Sequence, residues 1–183
     1  MSGHNKWSKI KHKKAATDAV KSRVFSKHSA LIAMESRNAK GDVNSPGLAA
    51  VIERAKKDSM PKDNIDRAVA KGAGAGGESL QEVIFEAFGP GGVGIIITAV
   101  TDNNNRTSQE IRHTFTKAGY QLGTPGTAMW AFGKTAEGYI PQSPVELSED
   151  DGEKLAELIE AIEEQGDVQD IYTTADTPDS ASE

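Results

Sequence analysis

The spacing of apolar positions changes along the chain, and the change divides it in two. Between residues 15 and 38, Ala16, Val20, Val24, Leu31 and Met34 approximate one face of an amphipathic helix, with Lys21 and Arg23 among the exposed positions. Gly41 and Asp42 break it. After Pro46 and Gly47, the residues Leu48, Val51, Ile52 and Ala55 fall at i, i+3, i+4 and i+7, and Lys56 and Lys57 close the segment where cations suit the helix dipole. Met60-Pro61 starts a third, short helix with Ile65, Ala68 and Val69 on its apolar face and Gly72 as its C-terminal stop. This predicts a three-helix domain over residues 1–72. The Gly-rich residues 73–79 read as a flexible linker.

From Glu82 the period shortens to two. Val83, Phe85 and Ala87 alternate as in a strand, Gly89-Pro90-Gly91-Gly92 forms a turn, and Val93 to Val100 is a nearly unbroken apolar run suited to a strand covered on both faces. Thr107-Ser108-Gln109-Glu110 reads as a capping box opening a helix with Ile111, Phe115 and Ala118 inward and Gly119 at its end. Ala128 to Phe132 and Tyr139 to Leu147 read as two more strands. Ser148 caps a second helix with Leu155, Leu158, Ile159 and Ile162 as its stripe, closed by Gly166, and Val168 to Tyr172 is a last strand. The order β-β-α-β-β-α-β over residues 80–175 predicts a ferredoxin-like α+β sandwich with two helices on one face of a mainly antiparallel sheet. Residues 176–183 form an acidic tail expected to be disordered.

Charge alters this picture. The net charge of −6 over 183 residues averages two unlike parts. Residues 1 to 71 hold 16 of the 21 Lys+Arg and 7 of the 27 Asp+Glu, a net +9, and residues 72 to 183 hold the other 5 and 20, a net −15. The basic charge peaks in Gly3-His4-Asn5-Lys6-Trp7-Ser8-Lys9-Ile10-Lys11-His12-Lys13-Lys14, which has five lysines and no acid. Such a segment cannot bury itself without losing lysine hydration. It is expected to be a mobile arm until a polyanion neutralises it, and phosphate backbones reward that by counterion release. The expected contacts are Lys6, Trp7, Lys9, Lys11, His12, Lys13 and Lys14, with Lys21, Arg23 and Lys27 of the first helix adding to them. A solubilising basic tail is the plainer alternative. The block Thr101-Asp102-Asn103-Asn104-Asn105-Arg106-Thr107 leads into a helix N-terminus, so Asn105, Arg106 and Arg112 form a second possible phosphate contact; a self-bonded asparagine turn is the alternative there.

Signs of catalysis are absent. The four histidines, His4, His12, His28 and His113, lack zinc-protease spacing, no serine stands in a nucleophile elbow, and there is no cysteine. Gly89-x-Gly91-x-x-Gly94 matches a dinucleotide fingerprint in letters, but a strand follows it where a helix is required. No metal, cofactor or membrane partner is expected, and the absence of a secretion signal or spanning run predicts a cytoplasmic protein. Three function classes remain: a nucleic-acid-binding regulator, a protein-interaction adaptor docking through the acidic helix of residues 149–165, and an enzyme using the Asp102 to Arg106 loop.

Three stretches together resemble one family: the basic run from Gly3 to Lys14, Met60-Pro61-Lys62-Asp63-Asn64-Ile65, and Phe88-Gly89-Pro90-Gly91-Gly92-Val93 with the block from Thr101 to Thr107. The chain resembles the YebC/PmpR family, which includes the mitochondrial translational activator of cytochrome c oxidase. The resemblance runs from about Gly3 to Phe132 and resumes from Tyr139 through Asp176. It implies a non-catalytic cytoplasmic regulator of gene expression. Family members are described as probable transcriptional regulators that bind DNA, and are also associated with the ribosome and with peptide-bond formation on proline-rich stretches. The partner so implied is DNA or ribosomal RNA. The family normally carries a third small α/β domain inserted in the second, whereas here Phe132-Gly133-Lys134-Thr135-Ala136-Glu137-Gly138-Tyr139 joins strand to strand directly.

Overall fold

The computed structural model describes residues 18–74 and 79–176. The fold is α+β, with helices first and a sheet-containing part after them. The chain divides into two compact units, one built around residues 18–82 with 100–103, the other from residues 83–99 and 104–176.

In the helical unit, α1 is Asp18–Asn38, α2 Pro46–Lys57 and α3 Lys62–Ala73. The Ser45 hydroxyl accepts from the Leu48 N–H to cap α2, and Pro46 occupies its first turn, where no donor is missed. Helix α1 ends by wrapping the Gly41 N–H back to the Ser36 carbonyl, which the positive φ of Lys40 (51°) and Gly41 (80°) allows. The core joins Ile32, Leu48, Ile52, Ala55, Met60, Ile65 and Ala68.

The inward face of α1 differs from the expected one. His28, Ile32, Ala33, Met34 and Ser36 are buried, while Val20, Val24 and Leu31 are half-buried. Helix α1 packs against both α2 and α3, so its buried arc is wider than one apolar stripe and takes in two polar residues with partners. His28 Nε2 donates to Asp58 Oδ2 at 2.6 Å, and Ser36 Oγ donates to the Val69 carbonyl at 2.7 Å. Gly72 is not a stop. It lies inside α3, where an added Cβ would stand 2.2 Å from the Ala33 carbonyl oxygen. Its missing side chain lets α3 close on α1.

In the second unit, β1 (Gln81–Phe88), β2 (Gly94–Thr101) and β5 (Val168–Thr173) form a sheet in the order β1-β2-β5. Strands β2 and β5 are antiparallel, with Ile95 opposite Thr173 and Ile97 opposite Ile171, and the register slips between Thr98 and Ala99. One sheet face carries Phe85, Ala87, Ile95, Ile97 and Ala99 into a core with Ile111 and Phe115 of α4 (Asn104–Lys117) and Leu155, Leu158, Ile159 and Ile162 of α5 (Glu149–Glu163). Both helices thus cover one face. All eight residues of β2 are buried, as its apolar run requires. On the other face Ile96 meets Ala131, Phe132, Met129, Tyr139 and Tyr172.

The middle of this unit departs from expectation. Residues 129–131 form a 3₁₀ turn, and the strand starts only at Phe132, so β3 is Phe132–Thr135. Its antiparallel partner β4 is short, Gly138–Pro141, and the pair stands as a separate two-stranded sheet. Pro141 and Pro144 have no N–H to continue a ladder; beyond them Val145 makes a single bridge with Ala175. The Thr107–Glu110 box also falls inside α4, which begins three residues earlier at Asn104. Thr107 Oγ1 serves a distant acceptor, donating to Asp167 Oδ2 at 2.6 Å. Ala118 is exposed, and Thr107 and Thr114 occupy inward positions of that helix. Ser148 caps α5 as read, its hydroxyl accepting from the Asp151 N–H.

Candidate nucleic-acid interface

Lys6, Trp7, Lys9, Lys11, His12, Lys13 and Lys14 lie outside the described residues. The basic end is therefore built from α1 onward. Lys21 and Arg23 are exposed, and Lys27 is half-buried. At about 100° per residue, Arg23 and Lys27 share one side of the helix and Lys21 points elsewhere. The three cations thus spread around α1 and do not form one stripe. Further exposed cations come from the last turn of α2, where Lys56 donates to Glu53 at 2.6 Å beside Lys57, and from Lys62 and Arg67 of α3. Arg67 is steered by its own helix, donating to the Asp63 carbonyl and to Asn64 Oδ1.

The polar block at the start of α4 is engaged by the protein's own groups. Arg106 donates to Asp167 Oδ2 at 3.0 Å, the same oxygen that takes the Thr107 hydroxyl. The Asn103 N–H donates to Thr101 Oγ1 at 2.9 Å, and Ser108 Oγ to Asn104 Oδ1 at 3.1 Å. A carboxylate of the protein itself thus sits at the start of α4, where an anion would be drawn. Asn105 and Arg112 are exposed. Arg112 follows Arg106 by six positions, so the two arginines diverge by about a third of a turn. His113 is exposed, and His28 is buried in its pair with Asp58. Among the described residues no group of three or more His, Asp or Glu could hold a metal ion, and no helix is long and apolar enough to cross a membrane.

Two residues passed over in the sequence define the best-built polar feature of the second unit. Glu86, in the middle of β1, is only 5 % exposed. Its Oε1 accepts from the Gly126 N–H at 2.7 Å, and its Oε2 from the N–H groups of Ala128 and Met129, each at 2.8 Å. The Glu86 carbonyl also accepts from the Gly123 N–H at 2.8 Å. The loop ahead of the 3₁₀ turn is therefore tied to the sheet by one buried carboxylate, which also withdraws the donors that a strand over 128–132 would have needed. On that turn Trp130 is 66 % exposed, with its indole N–H donating to the Thr127 carbonyl at 2.9 Å. The sequence pattern pointed the other way: with Val83, Phe85 and Ala87 inward, alternation puts Glu86 on the opposite face with Ile84 and Phe88, where a carboxylate is expected to meet solvent.

Two family models match the chain, one before and one after residues 76–79. Residues 5–75 match the family model described as the TACO1/YebC protein N-terminal domain. Residues 80–137 and 133–175 match, in two pieces, the model of the TACO1/YebC second and third domain. The pieces overlap over residues 133–137, across the β3–β4 turn, where Ala136 and Glu137 alone connect the strands. A protein of Thermotoga petrophila named probable transcriptional regulatory protein is 42% identical over the whole chain, which spans 72% of that relative. One of the same name from Thermoanaerobacter pseudethanolicus is 35% identical, with all of both chains covered over 246 aligned positions, more than the 183 residues present here. The crystal structure of a conserved hypothetical protein from Aquifex aeolicus superposes with a TM-score of 0.78 at 29% identity, covering 88% of this chain and 92% of the other. With domain models matched from end to end of the fold and relatives of this identity over its full length, the chain belongs to the TACO1/YebC family.

Proposed function

We propose that the protein is a non-catalytic regulator of gene expression, acting in the cytoplasm, whose basic N-terminal end holds a nucleic-acid backbone. The observation that carries this reading is the separation of charge, +9 in residues 1–71 against −15 in residues 72–183. A polyanion is attracted to the basic residues and repelled by the acidic majority of the rest, so its principal contact is the arm and the helices that follow it. The arm contributes Lys6, Trp7, Lys9, Lys11, His12, Lys13 and Lys14, and α1 contributes Lys21, Arg23 and Lys27. The regulatory role draws support from the relatives named probable transcriptional regulatory proteins. Arg106 is engaged by Asp167, so the α4 end is at most an accessory contact through Asn105 and Arg112. Irregular RNA, such as ribosomal RNA, suits this basic segment better than duplex DNA does, because cations spread around α1 do not align along one groove.

The test is a salt series with ribosomal RNA fragments and with duplex DNA, using the full chain and a chain lacking residues 1–14. Loss of five lysines should reduce the slope of log K against log salt by up to about 4.5, at roughly 0.7 to 0.9 per phosphate released. An unchanged affinity and slope refutes the arm as the contact. Co-sedimentation with ribosomes or with chromosomal DNA then separates the two targets.

A further inference from the structure

The turn that displays Trp130 is an unusually well-anchored place for an exposed aromatic ring. Buried Glu86 takes three backbone N–H groups from residues 126, 128 and 129, immediately before the ring. Trp130 is the most exposed large hydrophobic side chain among the described residues. Its one polar atom is satisfied inside the turn by Thr127, so what it offers outward is a flat π face with no hydrogen-bonding demand. The surrounding sequence is also exempt from the acidity of this half of the molecule. Between Glu110 and Glu146 the only carboxylate is Glu137, against Arg112, Lys117 and Lys134. Lys134 lies four residues beyond the ring, exposed on β3.

We propose that Trp130 is a stacking platform for an unpaired base of single-stranded nucleic acid. The inference rests on the nucleic-acid reading above and adds a second contact in the other unit. A flat, sequence-indifferent surface held in advance costs little ordering entropy when a base lands on it. Bases within a duplex are already stacked on each other, so only an unpaired base presents a free face. The stretch poor in carboxylates lets the adjoining phosphates approach, and Lys134 supplies a cation for them.

The experiment measures binding of a 12-nucleotide oligo(U) and a 12-base-pair RNA duplex to the full chain and to its Trp130→Ala and Trp130→Phe variants. Trp130→Ala should weaken oligo(U) binding roughly 5- to 150-fold with an unchanged salt slope, and leave the duplex unaffected. Trp130→Phe should recover most of the affinity. The chain has two tryptophans, Trp7 and Trp130, so in a Trp7→Phe background oligo(U) should quench the fluorescence of Trp130 alone. Equal oligo(U) affinity for wild type and Trp130→Ala overturns the platform. So does an equal loss on the duplex, or quenching by a proline-rich peptide and not by oligo(U). If wild type binds both nucleic acids through its arm while Trp130→Ala binds them equally well, only the platform falls. If wild type binds neither, the nucleic-acid reading itself falls.

Discussion

Replacing Glu86 tests how the second unit is held together. Its carboxylate accepts three backbone N–H bonds at 2.7 to 2.8 Å and is almost fully buried. Hydrogen bonds to a charged group contribute about 1.5–3 kcal/mol each. The donors differ in access: Gly126 is exposed and can turn to water, Met129 is half-buried, and Ala128 is fully buried. Counting the last two, Glu86→Ala should cost about 3–5 kcal/mol, the upper bound being trimmed because the freed loop can relax toward solvent. Glu86→Gln is nearly isosteric. An amide oxygen at the Oε2 position keeps Ala128 and Met129 and turns its NH₂ toward Gly126, which water can serve, so about 1–2 kcal/mol is expected. Hydrogen exchange at the amides of Ala128 and Met129 reads this directly. Exchange should quicken roughly 100- to 4000-fold in Glu86→Ala, at 1.4 kcal/mol per tenfold, and about tenfold in Glu86→Gln. Unchanged protection in Glu86→Ala would show that the loop holds itself and that the carboxylate anchor is not its cause.

Three more substitutions probe other joints. Gly72→Ala improves helix propensity by about 1 kcal/mol yet brings a Cβ to 2.2 Å from the Ala33 carbonyl, so thermal unfolding should show a net loss of about 1–3 kcal/mol; a raised Tm would mean that α1 and α3 are not held that close. His28→Leu keeps bulk but removes the bond to Asp58, and because Asp58 is half exposed the loss should be about 1–2 kcal/mol, seen as a lower urea midpoint for the helical signal; an unchanged midpoint refutes the pair as a tie between α1 and the α2–α3 turn. Asp167→Ala and Thr107→Val each remove one side of the 2.6 Å bond at the start of α4, so a double-mutant cycle should give about 0.5–3 kcal/mol of coupling, and full additivity would refute the tie.

How much of this was legible in the sequence depended on how far a residue's partner lay along the chain. Ser148 was readable as a cap because it accepts an N–H three residues on. The stripe Leu155, Leu158, Ile159 and Ile162 was readable because helical period and core face coincide. Helix α1 was misread where two neighbours, not one, set the buried arc, which brought His28 and Ser36 inside. Thr107 was read as a local cap because its letters fit a capping box; its acceptor lies sixty positions away. The apolar and aromatic residues of 128–132 and 139–147 read as strands; the structure makes 129–131 a 3₁₀ turn with the strand moved to Phe132–Thr135, and cuts the second to Gly138–Pro141.

By itself the sequence determined the order of helices and strands among the described residues, the division of charge between the halves and the family motifs. These follow from local period, composition and short contiguous runs, which need no knowledge of what packs against what. Tertiary structure alone decided that Gly72 is a contact and not a stop, that Arg106 is engaged by Asp167, and that Glu86 points inward to fasten a loop some forty residues away. It also decided that Trp130 stands outside the core its composition would have assigned it to. A buried polar group must find its partners wherever the folded chain supplies them, and local spacing carries no record of where that is.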